Sequence, residues 1–232
     1  MRLLITGGSG FIGTNYVAFA LAKGHDVCNL DVSEPLDPQH SSCWQHCDIM
    51  DMSSLREAFA EFAPTHVIHM AALTECIEDV DLHETFAVNI AGTRHVLAAI
   101  ADTPSIEHAI ITSSQYVCGP DHFPGGPEDF GPHTLYGQSK VLTEKLTREA
   151  ELPCSWTLVR PVNIWGPWHM RYRREAWSVI RKGLYFHPGG APVMRTYGYV
   201  GNVIWQCEQV FAAAKEQVHG KVFYLGGKAI II

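Results

Sequence analysis

Three glycines spaced three apart, Gly7, Gly10 and Gly13, constrain this chain more than any other feature. They follow a short apolar run, Leu3-Leu4-Ile5-Thr6, and precede a helical pattern from Phe11 to Lys23 that Gly24 closes. A tight turn needs one glycine, and a pyrophosphate lying against the backbone tolerates no Cβ. Close packing of helix on strand needs the third. The helix N-terminus then offers free N–H groups to phosphate. Strand, glycine turn and helix in that order read as a dinucleotide-binding unit. Asp31 closes the next apolar run, Asp26 to Leu30. It stands about 20 residues on, where an acidic side chain binds the adenosine ribose hydroxyls. That carboxylate favours NAD, because NADP calls for a positive charge and Val32, Ser33 and Glu34 supply none.

The same alternation continues. Asp51 to Phe62 reads as a helix, with Ser54 and Glu57 at capping-box spacing. His66 to His69 is a strand, Thr85 to Ile100 a helix, and Ala109 to Ile111 a buried strand. Tyr136 to Ala150 is a helix with Glu144, Lys145 and Arg148 as solvent charges, and Trp156 to Val159 is a strand. Strands alternating with helices of this length predict an α/β fold, a doubly wound parallel sheet of Rossmann type covered on both faces. After Arg160 the texture changes. Pro161, Gly166, Pro167, Pro188, Gly189, Gly190 and Pro192 break the chain, and Arg171, Arg173, Arg174, Arg181, Lys182 and Arg195 gather. In a chain of net charge −7 this reads as a basic cap over an anionic ligand, on a helix from Arg173 to Lys182.

The acidic total gives no electrostatic reason to bind nucleic acid or an anionic membrane. No apolar run reaches the roughly 20 residues that span a bilayer. The seven scattered cysteines read as reduced thiols of a cytosolic protein. His40, Cys43, His46 and Cys47 are close together but lack a second ligand pair at zinc spacing, so they are assigned to a connector and no metal is expected.

Tyr136 and Lys140 stand four residues apart at a helix start, which puts phenol and ammonium on one face. A nearby cation stabilises tyrosinate, so Tyr136 is expected to titrate low enough to act as acid or base. Ser113-Ser114 ends the preceding strand and places a hydroxyl beside the reacting oxygen.

With those residues in hand, further motifs follow in order. They are Asp48-Ile49, Met70-Ala71-Ala72, Val88-Asn89-Ile90-Ala91-Gly92-Thr93, Ser113 to Gly119, and Arg160-Pro161-Val162-Asn163-Ile164-Trp165-Gly166-Pro167. Over nearly its whole length the chain resembles the extended short-chain dehydrogenase/reductases, in particular the NAD-dependent sugar epimerase/dehydratase family. The resemblance implies that Gly7, Gly10, Phe11, Ile12 and Gly13 line the pyrophosphate, Asp31 binds ribose, and Asp48 and Ile49 flank adenine. It implies that Met70, Ala71, Ala72, Asn89 and Val162 border the cofactor groove. Tyr136 would be the base, Lys140 would hold the nicotinamide ribose, and Ser114 would orient the substrate hydroxyl. Asn163 and Arg195 would contact a nucleotide sugar, Arg195 by clamping its diphosphate.

In the family, elimination uses an acidic pair just after the serine. Gln115 and Tyr116 stand there instead, which points to an epimerase or a simple oxidoreductase. Tyr199-Val200-Gly201-Asn202-Val203 resembles the 3β-hydroxysteroid dehydrogenase branch, so a steroid or other apolar alcohol stays open, as does a non-catalytic NAD-binding module. The expected division is an NAD-binding domain over 1–162 and a substrate-binding region over 163–232. That region is interleaved with the last sheet elements and truncated relative to the family. A cytoplasmic homodimer acting in carbohydrate biosynthesis is expected, with Thr85 to Ile100 and Tyr136 to Ala150 at the dimer interface by analogy.

Overall fold

Apolar side chains alternate along the predicted strands toward two different neighbours, and that decides the layering. The computed structural model describes residues 1–120, 122–172, 177–186, 194–227 and 229–231 (backbone only at 172, 194, 195 and 229–231). The first unit is β1 (Arg2–Thr6), α1 (Phe11–Ala22) and β2 (Asp26–Asp31). A 3-10 turn (Pro38–Cys43) leads to β3 (Trp44–His46), α2 (Met52–Phe62) and β4 (His66–His69). Next come α3 (Leu82–Thr85), a π turn (Val88–Gly92), α4 (Thr93–Ala101) and β5 (His108–Thr112). After a 3-10 turn (Gln115–Val117) stand α5 (Leu135–Glu149), β6 (Ser155–Pro161) and β7 (Asn163–Trp165). The rest is α6 (Met170–Tyr172), α7 (Ser178–Arg181), β8 (Met194–Tyr199), α8 (Val200–Ala212), α9 (Lys215–Val218), β9 (Val222–Leu225) and β10 (Ala229–Ile231).

Seven strands form one parallel sheet in the order β3-β2-β1-β4-β5-β6-β9. Leu4, Leu30, Val67, Ala109, Ile111 and Leu158 pack on one face with Leu55 and Phe59 of α2 and Val96, Leu97 and Ile100 of α4. Leu3, Ile5, Ile68, Ile110 and Val159 pack on the other with Tyr16 and Val17 of α1 and Val203, Ile204 and Cys207 of α8. Burying both faces is what makes these strands read as short continuous apolar runs. A smaller sheet, β10-β8-β7, carries β8 parallel to β7 and antiparallel to β10.

Several local expectations change. The helix predicted over Thr85 to Ile100 is present but irregular: the short α3 ends at Thr85, and past Phe86 the chain runs helically through the π turn directly into α4. Polar groups in the middle accompany the π turn. Asn89 bonds outside the helix through its side chain, and the Thr93 hydroxyl bonds back to the Asn89 carbonyl. Asp51, not a Ser54–Glu57 box, caps α2. Its carboxylate accepts from the N–H and hydroxyl groups of both Ser53 and Ser54, which holds it down at about 2. Gly24 does close α1, at φ +76°. Of the basic helix expected from Arg173 to Lys182, residues 173–176 lie outside the described residues, and α7 covers Ser178–Arg181. All seven cysteines are free, and burial raises Cys28 to about 12 and Cys47 to about 11.

Buried histidines tie stability to pH. His69 is held down at about 3 by burial and then by the Lys140 charge, and His108 at about 4 by burial and then by His66 and His219. The unfolded chain binds protons at these sites near pH 6.5 while the folded chain refuses them. Their stabilisation is therefore full above about 6.5 and is lost as pH falls toward the folded values. At pH 5 each withdraws about 2 kcal/mol, and together they should lower Tm by roughly 10 °C relative to pH 7.5. Melting curves of the chain and of His108→Gln check this: the variant should show the shallower pH dependence, and parallel curves would refute the assignment.

Candidate active site

The sheet order reverses direction between β1 and β4, the switch point at whose carboxyl ends ligands bind in open α/β sheets. The glycine turn sits there. Gly7 takes φ +77°, and a Cβ on it would lie 2.6 Å from the Ala71 nitrogen, so the turn is pressed against the end of β4. Gly13 leaves no room either, since a Cβ would collide with the Gly7 carbonyl and with Gly8. Gly10 differs: its nearest neighbour stands 3.3 Å from a Cβ, and it forms the N-terminus of α1, which no side chain caps and whose first turn holds no acid. An uncapped helix N-terminus of this kind favours an anion. Phe11 and Ile12 are half-buried behind them against the core. Asp31 ends β2 with its carboxylate fixed at both oxygens, by Ser9 N–H at 3.0 Å and Ser33 N–H at 2.9 Å. That orients the carboxylate beside the turn, as a ribose ligand requires.

Around this turn, Asp48 is exposed and Ile49 is buried in the core against Gly92. Met70, Ala71 and Ala72 continue β4 and are half-buried, Met70 donating to the Thr6 carbonyl and Ala71 to the Thr6 hydroxyl. Asn89 is fully buried. Its amide brackets Leu73, accepting from Leu73 N–H at 2.7 Å and donating to Leu73 C=O at 2.9 Å, and also donates to Ser139 Oγ at 2.9 Å. It therefore braces the loop after β4 against α5. Val162 lies against Gly226, and Asn163 donates to the Thr196 carbonyl in the small sheet. Arg195 stands in β8, and its side chain lies outside the described residues.

At the carboxyl end of β5, Ser114 caps the following 3-10 turn, and its hydroxyl lies near enough to the Tyr136 phenol to lower it. Thr134 caps α5 and places Tyr136 in the first turn, with Phe86 and Tyr116 rings at 6.5 and 5.8 Å. Lys140 is 3% exposed one turn later. The phenol does not titrate low, as the sequence spacing suggests. Burial pushes it up to about 12 despite the Ser114 hydrogen bond, which lowers it, and Cys76 and Tyr116 raise it further. Lys140 is brought down to about 8 by burial, against the raising effect of Glu144. The paired groups are thus a protonated phenol and an ammonium held close to its titration point.

Glu144 is not a solvent charge. It is 0% exposed and pairs bidentately with Arg160, at 2.7 and 2.9 Å, while Ser113 Oγ donates to it at 2.6 Å. Arg160, 1% exposed, also donates to the Pro127 carbonyl at 2.6 Å and to the Tyr224 hydroxyl at 3.0 Å. One ion pair thus joins β5, α5, β6, β9 and the loop ahead of α5. Nothing local in the sequence marks this pair, and His69 shows only as the last residue of the strand His66-Val67-Ile68-His69.

With this geometry described, three comparisons place the chain. The sequence profile of the NAD dependent epimerase/dehydratase family matches residues 3–226. The chain is similar to the N-acetyl-alpha-D-glucosaminyl-diphospho-ditrans,octacis-undecaprenol 4-epimerase of Escherichia coli O157:H7, with 30% identity over 88% of this chain and 61% of that protein. It is similar to a 3 beta-hydroxysteroid dehydrogenase/Delta 5→4-isomerase of Mycobacterium tuberculosis, with 31% identity over 78% of this chain and 52% of that protein. Among solved structures it resembles UDP-glucose 4-epimerase of Thermotoga maritima with UDP-glucose, at TM-score 0.80 and 25% identity over 100% of this chain and 79% of that one. It also resembles UDP-glucose 4-epimerase of Thermus thermophilus in complex with NAD, at TM-score 0.76 and 26% identity over the same shares. The chain spans little more than half the length of the two curated relatives.

Proposed function

The chain belongs to the NAD-dependent epimerase/dehydratase family, and on that premise we propose that it is an NAD-dependent epimerase or oxidoreductase acting on a nucleotide-diphosphate sugar. The observation that carries the proposal is Ser114 beside Tyr136 past the carboxyl end of β5, with Lys140 buried one turn further along α5, in a sheet whose switch point carries the glycine turn and Asp31. NAD, when bound, supplies a reversible hydride acceptor. The chain's own residues do the rest. Gly7, Gly10 and Gly13 admit the pyrophosphate to the α1 N-terminus, Asp31 holds the adenosine ribose, and Asp48 and Ile49 border the adenine. Ser114 orients the sugar hydroxyl, and Lys140 holds the nicotinamide ribose and stabilises the phenolate of Tyr136, the form that takes the hydroxyl proton, becoming phenol, and gives it back. No carboxylic acid follows Ser114, so elimination lacks its extra acid and base.

Residues 1–162 form the cofactor half in this reading, and 163–232, with Asn163 and Arg195, the substrate half. No helix among the described residues is long and apolar enough to cross a membrane. We place the protein in the cytoplasm, where its free thiols stay reduced, as a homodimer. A groove of about 320 Å³ supports the dimer; Ala87, Ile90, Ala91, Leu142 and Leu146 line it on the face shared by the π turn and α5. A second reading, an apolar alcohol such as a 3β-hydroxysteroid, draws on the steroid dehydrogenases among its relatives.

A thermal-shift panel with NAD, NADP, UDP-, GDP- and dTDP-sugars and a 3β-hydroxysteroid tests these readings. A native-state ligand at 100 times its Kd adds about 2.7 kcal/mol, or roughly 5–10 °C for a chain of this size. A shift with NAD plus one nucleotide family is expected; a shift with NAD plus the steroid alone would favour the second reading, and none with NAD would overturn both. In the same assay Asp31→Ala should weaken NAD roughly tenfold to a hundredfold, the loss of charged hydrogen bonds, and narrow its preference over NADP. Unchanged preference would mean that the ribose is held elsewhere.

A further inference from the structure

Six hydrogen bonds, buried for most of their course, run from the glycine turn to the catalytic helix. Ala71 N–H donates to Thr6 Oγ1 at 3.4 Å, and Thr6 Oγ1 meets His69 Nδ1 at 2.7 Å. His69 Nε2 meets Thr93 Oγ1 at 3.1 Å, and Thr93 donates to the Asn89 carbonyl at 2.6 Å. Asn89 Nδ2 donates to Ser139 Oγ at 2.9 Å, and Ser139 donates to the Tyr136 carbonyl at 2.7 Å. A hydroxyl has one hydrogen. Thr93 gives its hydrogen to Asn89, so it must accept from His69, and the proton of His69 sits on Nε2. Nδ1 is then the acceptor, and Thr6 is its donor. The imidazole is the member of this series that joins Thr6 of β1 to Thr93 of α4, accepting on one side and donating on the other. Thr6, His69, Thr93, Asn89 and Ser139 are all buried, so water offers none of them a substitute partner.

The two ends of the series are functional places. Ala71 is where the glycine turn presses on β4, and the Tyr136 carbonyl opens the helix that carries the phenol. We propose that His69 is a positioning residue, a neutral imidazole that couples the seating of the dinucleotide on the glycine turn to the placement of Tyr136 and Lys140 on α5. The proposal rests on the reading of the glycine turn as an NAD site. A side chain that merely filled space would serve packing, but it would leave the turn and the helix to settle independently.

The test is a set of NAD dissociation constants by calorimetry, with folding followed by circular dichroism, for the wild-type chain, His69→Leu, His69→Gln, Ser139→Ala and the His69→Leu/Ser139→Ala pair. Glutamine can accept from Thr6 and donate to Thr93, and leucine can do neither. His69→Leu should weaken NAD about tenfold, glutamine should recover to within about threefold of wild type, and Ser139→Ala should cost about threefold without lying in the NAD groove. The double variant should be no weaker than His69→Leu, because a series already broken loses nothing more at its far end. Additive losses, or a folded His69→Leu that binds NAD like wild type, would overturn the coupling. If His69→Leu fails to fold, Ser139→Ala and His69→Gln decide: wild-type affinity in Ser139→Ala overturns it. A wild-type chain that does not bind NAD overturns the cofactor reading itself and the coupling with it.

Discussion

Replacing Tyr136 by phenylalanine should lower turnover roughly 10²- to 10⁴-fold, the range that a positioned proton donor and acceptor contributes. The NAD dissociation constant should stay within about twofold, well under the 1.4 kcal/mol that a tenfold change requires. The ring keeps its contacts with Phe86 and Tyr116, and only the hydroxyl near Ser114 is lost. Initial rates with the nucleotide sugar chosen by the thermal-shift panel, set beside calorimetric NAD binding, separate the two effects. Turnover at the wild-type level would remove Tyr136 from the chemistry. Because burial holds the phenol at about 12, the proton stays on oxygen in the chain alone across the physiological range. The variant therefore removes a group that must give up its own proton in the loaded site before it can take the substrate's.

Glu144→Gln should cost about 3–5 kcal/mol of stability, the penalty for leaving a buried charge without its partner. For a chain of this length that is a fall in Tm of roughly 10 °C or more. Arg160 would keep its hydrogen bonds to Pro127 and Tyr224 but lose the carboxylate that neutralises it. A double-mutant cycle of Glu144→Gln with Arg160→Met, followed by chemical denaturation, gives the clearest result. Each single change should cost most of what the pair costs, and strictly additive losses would show that the two charges are not paired. Ser113 also donates to Glu144, so the loop holding Ser114 should loosen along with the helix.

The strands and the glycine turn were legible because each carries a local signature: a short apolar run, then residues whose missing side chains create a turn. Tyr136 and Lys140 were legible through their spacing on one helix. Glu144 was misread as a solvent charge because its partner, Arg160, lies on another element and nothing in the α5 pattern marks that face as buried. The low phenol expected for Tyr136 failed for a related reason. Spacing reports which groups share a face but not how much water reaches them, and desolvation is the largest influence on the phenol here. Asp51 displaced Ser54 as the cap because the capping carboxylate reaches two backbone N–H groups at once. The π turn ahead of α4 had a faint signal in Asn89, Gly92 and Thr93, polar or small residues in an otherwise apolar periodic stretch.

The π turn at Val88–Gly92 takes in one residue more than an α-helical turn would. Each residue of an α-helix advances the chain by about 100°, so this extra residue sets the angular phase between what precedes it and α4. Deleting a single residue there would give a more regular helix, yet it would swing Asn89 about 100° away from Leu73 and Ser139. In this stretch the number of residues matters more than most of their identities. A shortened turn would gain helix content and lose its grip on the loop after β4.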